Sequence, residues 1–250
     1  MRRVVFFLLA PILTAVGTAI AFLVLPFTPR SGRAPHRIAR EWARAILRIS
    51  GVRLSVEGAS RFAPDEPRVF VANHASYLDI PAAILAFPGE LRIVARKSLG
   101  RIPFLGWYMK ACGHLLIDRD DPRQGLATFA TASRRMKAHG LSVLVFPEGT
   151  RTADGRLGPL KGGAFHLATS LDVPVQPLSI SGTFAVMPRT AMGPLRGGPV
   201  VVRVGAAIQT AGRVGGPARK ALAAEVRAAL LGLGLEDGAA GASAAAHEAS

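Results

Sequence analysis

The chain has 250 residues, half of them hydrophobic, and a formal net charge of +15 from 31 basic against 16 acidic side chains. That length suits one large domain with appendages and excludes two full-sized ones, while the charge points to an anionic partner: nucleic acid, anionic lipid or a phosphorylated substrate. A single cysteine, Cys112, excludes an intrachain disulfide and is compatible with a reducing compartment.

Arg2 and Arg3 precede residues 4–25, which hold no charged side chain and are long enough to span a bilayer as a helix. The basic residues on both flanks predict the inner (cytoplasmic) membrane, with the rest of the chain facing the cytoplasm. Pro11, Gly17 and Pro26 support another reading, a broken helix that dips into one leaflet. A cleaved signal peptide is disfavoured, because Leu25-Pro26-Phe27-Thr28-Pro29 offers no small-residue cleavage site.

Next, Arg37, Arg40, Arg44 and Arg48 recur on one face of a helix that Pro35 can open and Gly51 can close. Ile38, Trp42, Ile46 and Ile49 fall on the roughly opposite face. Two readings fit: a basic amphipathic helix on an anionic membrane surface, or a surface helix that packs Trp42 and the isoleucines on a core.

From residue 52 short β-branched runs alternate with helical stretches. Strands are predicted at 52–56, 69–72, 91–95, 115–118, 142–146, 175–180 and 200–204, and the clearest helices at 122–139 and 218–231. The alternation predicts a single α/β domain with a central, mostly parallel or mixed sheet flanked by helices, plus N-terminal membrane-associated helices. The expected division is an anchor and amphipathic helix over 1–51, a core over 52–231 and a disordered Ala/Gly-rich tail over 232–250.

Two segments concentrate titratable groups at strand ends: Asn73-His74-Ala75-Ser76-Tyr77-Leu78-Asp79 and Phe146-Pro147-Glu148-Gly149-Thr150-Arg151. Positions five apart on a continuous helix point about 140° away from each other. A strand ending at His74 and a helix starting near Asp79 bring them together, and the carboxylate then fixes the ring tautomer and frees the other nitrogen as a general base. A plainer reading competes: Ser76-x-x-Asp79 has capping-box spacing. No G-x-S-x-G elbow, Walker A, G-x-G-x-x-G, H-E-x-x-H or C-x-x-C occurs, and Cys112 reads as a small buried residue. A His–Asp pair without an enzyme nucleophile suggests a base that activates a substrate hydroxyl for direct attack. Arg96, Lys97, Arg119, Arg151 and Lys161 also fall near strand ends, where Arg forks and Lys charges suit phosphate. For most surface cations, simple solvation is the alternative.

On these residues the chain resembles the glycerolipid acyltransferase family, and within it the 1-acylglycerol-3-phosphate (lysophosphatidic acid) acyltransferases. The first family motif, N-H-x-x-x-x-D, matches Asn73, His74 and Asp79, and the second resembles Gly113-His114-Leu115-Leu116-Ile117-Asp118-Arg119. The third, F-P-E-G-T-R, is matched at every position from Phe146 to Arg151, and the fourth matches Val173-Pro174-Val175-Gln176-Pro177. Lys97 and the segment Leu160-Lys161-Gly162-Gly163-Ala164-Phe165 fit as well, while His114 departs from the small or polar residue expected there.

The resemblance implies that His74, oriented by Asp79, takes the proton of a lysophospholipid hydroxyl, which attacks the thioester of acyl-CoA or acyl-carrier protein to give phosphatidic acid. It further implies that Arg119, Glu148 and Arg151, with Lys97 and Thr150, bind the acceptor, and that Gly149 permits close approach and offers an N–H to the oxyanion. No metal or cofactor is expected beyond the acyl donor as co-substrate. The expected partners are the two substrates and the bilayer, with acyl-carrier protein as one donor option and no nucleic acid; aromatics are only 6% of the chain. The rival readings are another acceptor, such as lyso-ornithine lipid, and a non-catalytic anionic-lipid-binding membrane protein.

Overall fold

A computed structural model describes residues 2–27, 33–118, 141–189 and 195–238. The uncharged N-terminal run forms helix α1, Arg2–Val24, followed by α2, Arg33–Ser50. Beyond them seven strands form one sheet among the described residues: β1 Val52–Glu57, β2 Val69–Ala72, β3 Leu91–Arg96, β4 Leu115–Ile117, β5 Ser142–Val145, β6 Val175–Ser181 and β7 Gly198–Val204. Every predicted strand is present, with ends within two residues of expectation. Helices α3 Asp79–Ala86, α4 Leu105–Ala111, α5 Gly163–Leu171, α6 Thr183–Val186 and α7 Gly215–Gly232 complete the described elements. The helix predicted at 122–139 lies outside the described residues.

The spatial order is β1-β7-β6-β2-β5-β3-β4. Only the β6–β7 pair is antiparallel, so five neighbouring strands run one way and β1 and β7 the other. The mixed α/β sheet with flanking helices is therefore the architecture expected from the sequence. Central strands β2 and β5 are buried at every residue, which explains why they read as continuous apolar runs without alternation. Phe70, Ala72, Leu144 and Ile180 face Ala43, Ile46 and Leu47 of α2 and Ala82 and Ala83 of α3. Val69, Val71, Val143 and Val175 face Phe165, Leu167 and Leu171 of α5 and Leu222, Val226 and Leu230 of α7. Two apolar layers sandwich the sheet.

The α2 helix resolves the competing readings of its pattern. Ile46 and Leu47 are buried in the domain core, and Trp42 Nε1–H donates to Thr14 Oγ1 of α1 at 3.1 Å. Arg40 does not lie on a solvated basic stripe. Its guanidinium donates to the Ile84 and Phe87 carbonyls at 2.8 and 2.7 Å, closing the C-terminal end of α3. The tail boundary also shifts. Residues 233–238 fold back on the core, with Leu157 N–H donating to the Glu236 carbonyl and Gly238 N–H to the Leu157 carbonyl; residues 239–250 lie outside the described set.

One helical stretch, Val4–Phe27, is long and apolar enough to cross a membrane. Its side chains are largely bare: Leu8 is 63% and Leu23 73% exposed. Beside it, Phe104 and Trp107 are also exposed, and an open groove lies between Ala19 and Phe22 of α1 and these aromatics. Phe104 adopts φ 63° and ψ −63°, and Leu105 N–H donates across it to the Pro103 carbonyl. This is a γ-turn in the strained left-handed half of conformational space.

Candidate active site

Parallel register decides which loops meet. Val69 lies opposite Val143 and Val71 opposite Val145. Carried three residues beyond the Val71–Val145 pair, the same offset sets His74 beside Glu148. The contacts follow: His74 N–H donates to Glu148 Oε1 at 2.6 Å, and the His74 ring stacks on Phe146 with centroids 4.2 Å apart. Thr152 N–H donates to the His74 carbonyl at 2.8 Å, so the second loop grips His74 from both sides. Asn73 makes the exit from the sheet possible. Its amide donates to the Ile180 carbonyl at 2.9 Å and accepts the Ile180 N–H at 2.7 Å, replacing a ladder step with a side chain.

Asp79 is fully buried at the start of α3. Its Oδ2 accepts three N–H groups: the His74 ring at Nδ1 (2.8 Å), Ala75 N–H (2.7 Å) and Ser76 N–H (2.8 Å). With a carboxylate as acceptor, Nδ1 carries the proton and Nε2 is left basic. Ser76 Oγ accepts the Leu78 N–H at 3.2 Å while Asp79 accepts the Ser76 N–H, so the two side chains tie the turn leading into α3. The capping box itself does not form: α3 starts from Leu78 without a side-chain cap, and the Asp79 N–H donates to the Ser76 carbonyl. One carboxylate therefore contacts the ring and ties the turn.

Glu148 ties the turn. It is buried, and both oxygens are taken by main-chain donors, His74 N–H and Gly158 N–H at 2.6 and 3.0 Å. It braces the two loops. Burial pushes its carboxyl up to about 7, against the opposing pull of those two donors. The Gly149 N–H is likewise committed: it donates to the Phe146 carbonyl at 3.1 Å and closes the turn, so it is not directed at an oxyanion. Gly149 itself sits at φ +77°, and a Cβ there would press on Lys161, 3.1 Å from Nζ.

Thr150 is exposed at the tip of this turn. Arg151 follows, with its guanidinium 3.6 Å from the Tyr77 ring centroid and with Nη1 enclosed but without a hydrogen-bond partner. Tyr77 was not singled out by the sequence. The only signal was an aromatic between His74 and Asp79, and its partner lies in a segment far along the chain. Lys97 stands past the end of β3, its amine 3.2 Å from Asp118 Oδ2; Arg119 lies outside the described residues. The departure at His114 is structural: Nδ1 accepts the Ile93 N–H at 3.0 Å, and burial with Arg92 nearby pulls its pKa down to about 3. Cys112 is buried as expected. Among the described residues no cluster of His, Cys, Asp and Glu is suited to hold a metal ion.

His74, held by Asp79, and Arg151 thus follow strands of the five-stranded parallel part of the sheet at their C-terminal edge, the place where open α/β sheets bind ligands. The Acyltransferase family model matches residues 53–181. The chain is 36% identical over 180 residues to the chloroplastic 1-acyl-sn-glycerol-3-phosphate acyltransferase of Arabidopsis thaliana, covering 72% of this chain and 50% of that protein. It is 33% identical over 234 residues to a 1-acyl-sn-glycerol-3-phosphate acyltransferase of Chlamydomonas reinhardtii, covering 92% of this chain and 70% of that one. It spans about half the length of the Arabidopsis protein and its Brassica napus counterpart, 50% and 52%. The crystal structure of the 1-acyl-sn-glycerophosphate (LPA) acyltransferase PlsC from Thermotoga maritima has the same fold, with TM-score 0.70 at 22% identity over 93% of this chain and 98% of that one. The chain belongs to the Acyltransferase family.

Proposed function

We propose that the protein transfers an acyl group from a thioester, acyl-CoA or acyl-carrier protein, to the free hydroxyl of 1-acylglycerol-3-phosphate, forming phosphatidic acid. The observation that carries this reading is the 2.8 Å contact between His74 Nδ1 and Asp79 Oδ2, which supports Nε2 as the base. The relatives' names supply the substrate class. His74 Nε2 takes the hydroxyl proton as the oxygen attacks the thioester carbonyl; the tetrahedral intermediate expels a thiolate, and the proton returns to sulfur. Asp79 holds the tautomer and stabilises the imidazolium that forms between those steps. No covalent enzyme intermediate and no cofactor enter. Arg151 receives the acceptor phosphate, with Lys97 and Thr150 as further contributors; Arg119 is assigned to the same role from its motif position alone. Gly149 keeps the turn tight enough for this approach.

The bare apolar face of α1, continued by Phe104 and Trp107, supports a site held at a bilayer, where acceptor and product reside. The basic flanks of α1 support the inner membrane with the domain on the cytoplasmic side. A panel of lysolipid acceptors with radiolabelled acyl-CoA, in membranes containing the protein, tests the reading. Transfer to 1-acylglycerol-3-phosphate that falls by a factor of roughly 10²–10⁴ in His74→Ala is expected. Equal turnover by that variant would remove His74 as the base.

A further inference from the structure

Tyr77 occupies the middle of the turn that carries His74 and Asp79, yet its side chain is 60% exposed. Its hydroxyl makes no hydrogen bond among the described residues. What it does touch is Arg151, whose guanidinium lies face-on at 3.6 Å. A guanidinium offers its five N–H donors at its edge, so stacking fixes the plane while consuming none of them. Arg151 Nη1 is enclosed and has no acceptor. The other polar tie on this residue is through its backbone, where the Arg151 carbonyl accepts the Arg189 Nη1–H at 3.0 Å. Among the described residues the stack is thus the side-chain contact that aims the fork, and it occupies none of the N–H donors that a ligand would need.

We propose that Tyr77 is a positioning residue that holds the Arg151 fork for the phosphomonoester of the acyl acceptor, and so ties phosphate recognition to the turn bearing the base. The inference rests on the acceptor reading above and adds to it a determinant outside the matched motif positions. Tyr77 lies three residues after His74 and two before Asp79. A phosphate seated on Arg151 therefore draws on the same turn that orients His74, and the acceptor hydroxyl and Nε2 are brought into register by one contact. Acceptors without a phosphate gain nothing from the stack.

The test compares Tyr77→Ala, Tyr77→Phe and Tyr77→Trp in the full chain, with 1-acylglycerol-3-phosphate and with 1-acylglycerol, which lacks the phosphate. Tyr77→Ala is expected to raise KM for the phosphate-bearing acceptor by up to about fivefold, the scale of a cation–π contact at an exposed site. The donor KM and the turnover of 1-acylglycerol should stay unchanged. Tyr77→Phe and Tyr77→Trp should recover the parent KM, because a flat face is what the stack requires. In an Arg151→Ala background, Tyr77→Ala should add less than about twofold, since coupled residues are not additive. Equal losses with both acceptors, or the full loss repeated in the Arg151→Ala background, would overturn the proposal.

Direct binding of 1-acylglycerol-3-phosphate in detergent micelles separates the two levels of argument. Weakened binding in Tyr77→Ala but not in Tyr77→Phe supports the positioning role even if the parent protein transfers no acyl group to this lipid, an outcome that would sink the acceptor reading alone. Unchanged binding in all three variants would sink the Tyr77 role and leave that reading standing. A melting temperature equal to the parent's excludes a folding defect as the cause.

Discussion

Because Asp79 Oδ2 accepts the His74 ring and two backbone N–H groups, ring orientation and turn geometry cannot be altered separately. Asp79→Ala should lower stability by about 1–3 kcal/mol, the scale of leaving buried donors unsatisfied, and abolish transfer in the same variant. Urea unfolding and turnover measured together check this; lost turnover with an unchanged unfolding midpoint would show that the Asp79 contacts to the turn contribute nothing to stability. Glu148 gives a pH signature. Folding raises its carboxyl from the ordinary 4.5 to about 7 because burial disfavours the charge. Between those values the folded state binds the extra proton, so this contribution to stability is fully present below 4.5 and is lost as pH rises through 7. Glu148→Gln should flatten the unfolding midpoint across that window. A parent midpoint that is already flat there would contradict the assignment. The sequence showed which residues to watch at this scale but not what each would touch. Gly149 was placed on the substrate side because motif membership says nothing about which way an N–H points.

The strands were legible because a sheet buried on both faces demands continuous β-branched runs, and β2 and β5 are such runs. The two chemical segments were legible as one site because parallel strands deliver their C-terminal ends to a common edge. The short helices were not foreseen as elements: α4, α5 and α6 have 7, 9 and 4 residues, too few for a 3.6-residue period to declare itself. Arg40 shows the complementary failure. Its spacing with Arg37 and Arg44 was right for a solvated stripe, but the end of α3 needs donors, and that need lies 44 and 47 residues away. Arg40→Ala should cost about 1.5–3 kcal/mol through the lost charged hydrogen bonds. Arg40→Lys should recover only part, since a point charge replaces the fork. Equilibrium urea unfolding reads both, and an Arg40→Ala variant as stable as the parent would refute the capping role.

At the scale of the whole molecule, the apolar half of the composition divides between two destinations: the two layers around the sheet and the outer face of α1. Leu8 and Leu23 are among the most exposed of the large α1 side chains, so Leu8→Lys with Leu23→Lys should leave the melting temperature of the domain nearly unchanged. The same pair should sharply reduce co-sedimentation with anionic vesicles. Full retention on vesicles by the double variant would mean that another surface provides the attachment. The α3 helix joins this outer face to the chemistry. Arg40 of the hairpin grips its last turn, and Asp79 stands at its first residue. An eight-residue helix is a strut of about 12 Å, and a strut transmits displacement. Arg40 of α2 and the carboxylate that holds the imidazole thus sit at opposite ends of one short rigid rod, so the seating of α2 on the sheet and the aim of the His74 ring share a single mechanical part.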